Sequence, residues 1–195
     1  LGERATIWCA DAVEWLKNSV DTYDTVLALD CAYHFSDRAD FMRTASQRLA
    51  PGGTLALVDL VGAWPYPAWL TPAPSVPAPS GPPTVWERVQ HYVICKLSRA
   101  NPHAFISFDA YRALLHEAHL DVVDVRDISH DVFPGFAAFL QGLGVHDRAW
   151  RGGSVWQRWA LRAFGSVVQK WAHGGDTGHV RCSLWVARNA QAQNT

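Results

Sequence analysis

Apolar runs alternate with helical patterns in the first third of the chain. Residues 25–29 (TVLAL) are uniformly apolar and too few for a three-turn helix, which predicts a parallel strand covered on both faces. Further apolar positions recur every fourth residue, at Phe41, Ala45 and Leu49. They predict a helix that Ser36 or Asp37 caps and that residues 51–53 (PGG) end. Residues 54–60 (TLALVDL) are predicted to form the next strand, so the stretch is typical of a strand–helix–strand unit.

The same patterns extend over the remaining chain. Strands are predicted over residues 4–10, 120–128 and 179–187, and helices over residues 84–98, 107–118, 134–143 and 154–171. A short helical stretch follows the first strand, with apolar positions Val13, Leu16 and Val20. Thr84 and Glu87 form a T-x-x-E capping box, and Pro134 suits the first position of a helix. The last helix has a broad apolar face, which predicts that it packs under the sheet or covers a site.

Residues 61–83 contain most of the eleven prolines. Such a density excludes a helix or a central strand, so an extended loop is predicted. Loops of this length inside a compact domain are usually lids, binding loops or linkers. Trp64, Tyr66 and Trp69 lie at its start, where they either wall an apolar pocket or pin the loop to the core.

Candidate chemistry follows the first parallel strand. Asp30 ends that strand, and open α/β sheets bind their ligands at the carboxyl ends of parallel strands. His34 lies in the same loop, and because imidazole titrates near neutrality it is a candidate base, with a purely hydrogen-bonding role as the alternative. Cys31 has no base at a defined spacing and is expected to pack as a small residue. His116 and His119 lack the one-face spacing of zinc ligands, so no metal site is predicted.

Composition narrows the function classes. The 195 residues are 49% hydrophobic with a net charge of −1, which indicates a folded domain and does not favour binding of nucleic acid. The four cysteines contain no C-x-x-C pair, which favours a reducing, cytoplasmic environment. The sequence contains no apolar run long enough for a membrane span.

Two motifs resemble class I S-adenosylmethionine-dependent methyltransferases, in particular the small-molecule type similar to the ubiquinone and sterol methyltransferases. They are D-x-Y-D-T-V-L-A-L-D-C-A-Y-H-F and F-M-R-T-A-S-Q-R-L-A-P-G-G-T-L-A-L-V-D. In that family an apolar strand ends near the transferred methyl group, a helix follows, and L-x-P-G-G leads into strand five. The resemblance covers residues 4–60 well and the remainder loosely. It implies an α/β fold over residues 1–195, a Rossmann-like sheet flanked by helices, with the last strand inserted antiparallel between the two before it.

The resemblance also implies a site for S-adenosyl-L-methionine. The residues that match the family's cofactor-binding positions are Asp11, Ala12, Asp30, Cys31 and Tyr33. Asp11 and the amide of Ala12 would contact the adenine, although Asp11 equally suits a helix N-cap. Asp30 would balance the sulfonium or the amino group of the cofactor, with an anchoring role in the loop as the alternative, and Tyr33 would stack on the adenine or line the pocket. His119 stands where the family usually has a glycine before a strand.

Part of the family pattern does not appear in the sequence. The glycine-rich loop after strand one and the acidic residue after strand two have no counterpart before Arg4. Together with Leu1 in the place of an initiating Met, this predicts an N-terminally truncated methyltransferase.

Three functions compete at this point. The leading hypothesis is S-adenosylmethionine-dependent methyl transfer to a small, apolar or aromatic molecule, with His34 as the base where the acceptor must lose a proton. The alternative is a truncated, non-catalytic methyltransferase-like module for binding or dimerisation. A nicotinamide-dependent oxidoreductase is weaker because no dinucleotide-binding loop is present. The sequence does not specify the acceptor atom or the oligomeric state.

Overall fold

The computed structural model describes residues 5–71, 77–98, 100–142, 155–174 and 179–190. Within these residues the chain forms four strands and six α-helices. In chain order they are α1 (Ala12–Asn18), β1 (Tyr23–Leu29), α2 (Arg38–Arg48), β2 (Leu49–Gly62), α3 (Val85–Ser98), α4 (Phe108–Glu117), β3 (Leu120–Asp127), α5 (Ser129–Gly142), α6 (Val155–His173) and β4 (Val180–Asn189). Four parts of the predicted elements lie outside the described residues, namely Arg4, residues 72–76, Leu143 and Ser154.

The strands form one open sheet in the order β1-β2-β4-β3. β1 and β2 are parallel, with Leu29 opposite Val58, whereas β4 is antiparallel to both β2 and β3. It follows that β1, β2 and β3 all run the same way and end at one edge. The strand–helix–strand unit and the antiparallel insertion of the last strand are therefore confirmed.

Helices pack on both faces of this sheet. On one face Leu57 of β2 contacts a core that includes Phe41 of α2 and Tyr111 of α4. On the other face Leu60 packs with α5 and α6, including Val168. Because successive strand residues point to opposite faces, the single apolar run of β2 supplies both cores.

β1 is covered on one face only. Ala28 is buried, but Leu27 and Leu29 on the opposite face are 62% and 61% exposed. The helices of that layer, α5 and α6, contact β2 and β4 instead. The prediction that residues 25–29 are covered on both faces is thus wrong for one face among the described residues.

The predicted strand over residues 4–10 is also wrong. Residues 5–10 have no regular secondary structure and are exposed, with Ile7 and Trp8 at 84% and 68%. No described strand lies beside them to pair with their amides, and apolar content alone does not make a strand. Regular structure begins at α1, for which the side chain of Asp11 is the N-cap.

Two helix boundaries differ from prediction for local reasons. α2 ends at Arg48, before residues 51–53, because Asn189 of β4 donates to the carbonyls of Ser46 and Leu49 and satisfies the helix end. The PGG turn lies inside β2 instead, where Gly52 has a φ of 72°. α5 begins at Ser129, five residues before Pro134, because the carboxylate of Asp127 accepts the Ser129 amide and caps the first turn.

Other boundaries are confirmed by their caps. Asp37 caps α2, Ser107 caps α4, and Thr84 and Glu87 form the reciprocal capping box at the start of α3. His119 has a φ of 58°, the left-handed conformation that glycine usually takes before this strand. No helix among the described residues has both the length and the apolar character to cross a bilayer.

Candidate active site at the carboxyl edge of the sheet

The loop after β1, residues 30–35, lies at the carboxyl edge of the sheet. Asp30 is exposed and has a φ of 54°, and its amide donates to the carbonyl of Val58 at 2.8 Å. This bond continues the β1–β2 ladder by one residue while the chain turns away from the sheet. A short 3-10 turn, Ala32–His34, then leads to α2. We call residues 30–35 the Asp30 loop.

Acidic neighbours and burial suppress ionisation in the Asp30 loop. Burial raises the pKa of Tyr33, and the carboxylate of Asp30, which is also hydrogen-bonded to the phenol, raises it further. Burial also raises the pKa of the Cys31 thiol, with Asp59 and Asp30 adding to the effect. Both side chains are therefore neutral near pH 7, and Cys31 lacks the thiolate that a nucleophile needs.

A buried carboxylate on β2 lies directly beneath this loop. Asp59 is fully buried, and its Oδ1 accepts the amide of Tyr33 at 3.1 Å. Its Oδ2 accepts the Tyr111 hydroxyl at 3.0 Å and lies 3.1 Å from Nε of Arg38. Burial raises the pKa of Asp59, whereas Arg38 and the donated hydrogen bonds lower it. We call Asp59, Arg38 and Tyr111 the Asp59 cluster.

A second cluster of the same residue types lies across β4. Asp59 and Asp127 are both opposite Ser183 in the strand register, so the two carboxylates lie in one row across the sheet. Asp127 accepts the Tyr66 hydroxyl at 3.2 Å, and Nε of Arg181 lies 3.7 Å from it. We call Asp127, Arg181 and Tyr66 the Asp127 cluster.

Beyond the end of β2 a cleft of about 880 Å³ opens between α3, α6 and the segment of residues 101–106. Its walls are largely aromatic, with histidines among them, and we call it the aromatic cleft. The lining includes Trp64, Trp86, His91, Tyr92, Phe105, Trp171 and His179. A volume of this size suits an organic ligand of several hundred daltons.

Ring contacts join the Asp30 loop to the aromatic cleft. The rings of His34 and Tyr33 are 4.3 Å apart, and that of Tyr33 is 6.1 Å from Phe105. Phe105 lines the cleft and meets His91 edge-on at 4.5 Å. The loop that follows β1 and the cleft that follows β2 are therefore neighbouring parts of one region.

Two histidines of the cleft have distinct environments. Burial lowers the pKa of His91, so its imidazole is neutral near pH 7 and one ring nitrogen is available to accept a proton. His179 lies before β4, with Nε2 at 3.2 Å from Oε2 of Glu87. Burial alone would raise the pKa of Glu87, but hydrogen bonds from Thr84 and the contact with His179 hold it below its usual value.

The structure separates the sequence-predicted site residues into two groups. Asp30, Cys31, Tyr33 and His34 come together in the Asp30 loop. Asp11 and Ala12 lie at the start of α1, where the Asp11 carboxylate accepts the amides of Val13 and Glu14 at 2.9 and 3.0 Å. Among the described residues no hydrogen bond joins the two groups. The capping role of Asp11 is thus present, and its exposed carboxylate retains further acceptor capacity.

The aromatic residues of the proline-rich segment have different roles. Trp64 lines the aromatic cleft, as one alternative predicts. Tyr66 and Trp69 instead pin the segment to the core, because Tyr66 bonds Asp127 and packs on Phe108 while Trp69 donates to Asp109 at 2.7 Å. Both alternatives therefore hold, for different residues.

Sequence reasoning missed the Asp59 cluster and the histidines of the cleft. Asp59 lies within an apolar strand, where a charged residue flanked by leucines is itself a signal of a buried, paired carboxylate. His91 and His179 follow no motif, and they share a cleft only because α3 lies beside the residue that precedes β4, where Glu87 contacts His179.

Two curated methyltransferases are similar to this chain in sequence. No family model matches the chain. Over 148 residues the chain is 28% identical to Methyltransferase GfsG of Streptomyces halstedii, which covers 74% of this chain and 45% of that protein. It is 31% identical over 148 residues to 27-O-demethylrifamycin SV methyltransferase of Amycolatopsis mediterranei strain S699, covering 75% and 47%. The chain spans about half the length of the curated relatives it matches.

Solved structures show the same fold at low identity. The [4+2]-cyclase SpnF matches with a TM-score of 0.55 and 18% identity over 93% of this chain and 56% of that one. Geranyl diphosphate C-methyltransferase from Streptomyces coelicolor A3(2), solved with S-adenosyl-L-homocysteine, matches with a TM-score of 0.54 and 14% identity over 89% and 50%. The chain has the Rossmann-like fold of class I methyltransferases, and both curated relatives are methyltransferases, so the resemblance found in the sequence is confirmed.

Proposed function

We propose that this chain is part of an S-adenosylmethionine-dependent methyltransferase that acts on a hydroxyl group of a small, apolar or aromatic molecule. The observation that carries the proposal is the adjacency of the Asp30 loop and the aromatic cleft, joined by the ring contact between Tyr33 and Phe105 at 6.1 Å. Methyl transfer requires two binding regions side by side, because donor and acceptor must meet in line with water excluded. The methyltransferase relatives support the reaction class.

The residues of the Asp30 loop fit the cofactor chemically. Asp30 is an exposed carboxylate with no basic partner among the described side chains, which suits a cationic or amine group. Tyr33 offers a neutral aromatic ring, and Asp11 offers acceptor oxygens for an exocyclic amine. We assign cofactor contacts to Asp11, Ala12, Asp30, Cys31 and Tyr33. When bound there, S-adenosyl-L-methionine supplies the methyl group.

The aromatic cleft suits the acceptor. Its indole, phenol and phenyl surfaces would bury apolar carbon, and the hydrophobic contribution grows with the area removed from water. The relative from Amycolatopsis mediterranei acts, by its name, on oxygen 27 of a rifamycin. A hydroxyl acceptor on a large, mostly apolar molecule is consistent with both the walls and the volume of this cleft.

A hydroxyl acceptor must lose its proton, so the site needs a base. His34 is our first candidate, because it follows Asp30 in the loop and its ring packs 4.3 Å from that of Tyr33. His91 is the second candidate, because it lines the cleft and its lowered pKa keeps the imidazole neutral. Whichever histidine is the base would accept the hydroxyl proton as the methyl group passes from the sulfonium to the oxygen.

Calorimetry and paired substitutions test this function. We expect S-adenosylhomocysteine to bind with measurable heat, and radiolabelled methyl groups to pass to aromatic or polyketide alcohols. Replacing the true base, in H34Q or H91Q, should lower kcat by about a hundredfold or more while the other variant stays near wild type. Absence of heat with S-adenosylhomocysteine would rule the proposal out.

A second function remains supported by one observation. Leu27 and Leu29 expose an apolar strip on β1, at the edge of the described sheet. Exposed apolar strips on a strand favour contact with another polypeptide. A non-catalytic binding or dimerisation module would show self-association in sedimentation experiments together with no binding of S-adenosylhomocysteine.

A further inference from the structure

We propose that Asp59 is a positioning residue that holds the Asp30 loop in its binding conformation and links it to the wall of the aromatic cleft. The inference rests on the proposed function, which assigns cofactor binding to the Asp30 loop. Asp59 itself is fully buried, so its role is to place other groups.

One carboxylate oxygen of Asp59 is hydrogen-bonded to the Asp30 loop. Oδ1 accepts two amides, that of Leu60 on its own strand at 2.9 Å and that of Tyr33 in the loop at 3.1 Å. The second bond joins residues 26 positions apart and places the ring of Tyr33 relative to the sheet. Loop positions without such a bond depend on weaker contacts, so this amide bond selects one loop conformation among several.

The other oxygen reaches the cleft. Oδ2 accepts the Tyr111 hydroxyl at 3.0 Å and is paired with Nε of Arg38 at 3.1 Å. Nη1 of Arg38 continues outward and donates to the carbonyl of Ala104 at 2.7 Å. The neighbouring residue, Phe105, lines the cleft and faces Tyr33. A single carboxylate therefore fixes both partners of the ring contact that joins the two binding regions.

The chemistry of the cluster requires a carboxylate at this position. Every hydrogen-bonding group directed at Asp59 is a donor, from two amides, a hydroxyl and a guanidinium. An asparagine has one acceptor oxygen and one donor group, so whichever way it turns, its NH₂ faces a donor. The D59N variant keeps the size of the side chain and loses either the loop or the cleft connection.

The matched controls are Y111F and D127N. Y111F removes a donor from Oδ2 but leaves the bond between Oδ1 and the Tyr33 amide. D127N removes a buried carboxylate of the same sheet row that makes no contact with the Asp30 loop among the described residues. All three variants are first compared by urea unfolding, and binding is measured at a temperature where each is folded.

Hydrogen exchange and calorimetry then give two separate readouts. We expect D59N to speed exchange of the Tyr33 amide and to weaken S-adenosylhomocysteine about tenfold or more, while Y111F and D127N change both by less. Equal effects in D59N and D127N would overturn the proposal, because they would show only a loss of general stability.

The wild-type protein provides a test that does not depend on any variant folding. The Tyr33 amide should exchange more slowly than that of Ser36, which has no hydrogen-bond acceptor among the described residues. Equal exchange rates would overturn the positioning role. A protected Tyr33 amide together with no binding of S-adenosylhomocysteine would instead refute the proposed function and the ligand-related role that rests on it, leaving Asp59 only as a structural anchor.

Discussion

The Asp59 and Asp127 clusters have the same composition but different partners. In each, a buried aspartate accepts a tyrosine hydroxyl and faces Nε of an arginine, and that arginine donates to a loop carbonyl, Ala104 in one case and Pro77 in the other. The Arg38 pair is at 3.1 Å and the Arg181 pair at 3.7 Å. Oδ1 of Asp59 accepts an amide 26 residues away, whereas Oδ1 of Asp127 accepts one two residues away.

This difference shows how one set of residue types serves two purposes. The Asp127 cluster caps α5 and pins the proline-rich segment, through Tyr66 and the carbonyl of Pro77. The Asp59 cluster joins the Asp30 loop to residues 101–106, which form part of the cleft. What distinguishes the two clusters is the segments that they join, rather than the residue types: only the Asp59 cluster bonds the Asp30 loop.

The largest expected contrast is between the two arginines. R38M leaves Asp59 buried without its cation and should lower the free energy of unfolding by about 3–5 kcal/mol. R181M should cost less, because the ion pair that it removes is longer, at 3.7 Å against 3.1 Å for the Arg38 pair. Urea unfolding monitored by tryptophan fluorescence measures both. If R181M were the more destabilising variant, the ranking of the two clusters would be wrong.

Removing the tyrosine hydroxyls should change the free energy of unfolding by less than removing the arginines. Y111F removes a fully buried hydroxyl bonded to a carboxylate, for which about 1.5–3 kcal/mol is expected. Y66F removes a bond that is longer and partly buried, so its cost should lie at or below the lower end of that range. Thermal unfolding followed by circular dichroism measures both variants, with Y92F, whose ring is half-exposed in the wall of the aromatic cleft, as a control for the substitution itself. If Y111F and Y66F lost the same free energy of unfolding, the two hydroxyls would contribute equally and this difference between the clusters would be absent.

The smallest effect concerns pH and the cleft segment that both Arg38 and His91 contact. Burial lowers the pKa of His91 below 6.5, so the folded protein resists a proton that the unfolded chain binds. Its contribution to stability is therefore present above about pH 6.5 and lost as the pH falls through the lowered pKa, by at most about 1.4 kcal/mol per pH unit. Unfolding free energies measured from pH 5 to 8 should show this slope.

H91Q provides the matched variant for that measurement. The slope should flatten in H91Q and persist in H116Q, whose histidine is exposed on α4. A slope unchanged in H91Q would assign the effect to another group.

Local sequence patterns predicted much of the fold. Residues 54–60 alternate between one buried and one half-buried face, and the caps at Asp37, Thr84 and Ser107 depend on bonds within three residues. Such bonds form wherever the local sequence permits them, so reading the sequence is sufficient. The start of α5 escaped prediction because its cap, Asp127, lies in the preceding strand and looked like part of an alternating pattern.

The candidate site could be predicted only in part. Asp30 and the residues up to His34 follow a parallel strand, and the edge at which they lie is a consequence of strand direction. Residues 5–10 show the limit of this reasoning, because an apolar segment becomes a strand only when a partner offers its amides and carbonyls. The exposed Leu27 and Leu29 show it again, since burial depends on which helices reach β1.

The sequence by itself determined the order of strands and helices from α1 onward, most of their caps and the loop that carries Asp30, because these depend on contacts between near neighbours in the chain. Only the tertiary structure decided that Asp59 lies beneath that loop, that His91 and His179 share a cleft, and that Tyr33 meets Phe105. These contacts join residues separated by tens of positions, and their free energy depends on burial and on donor geometry, which no local pattern encodes.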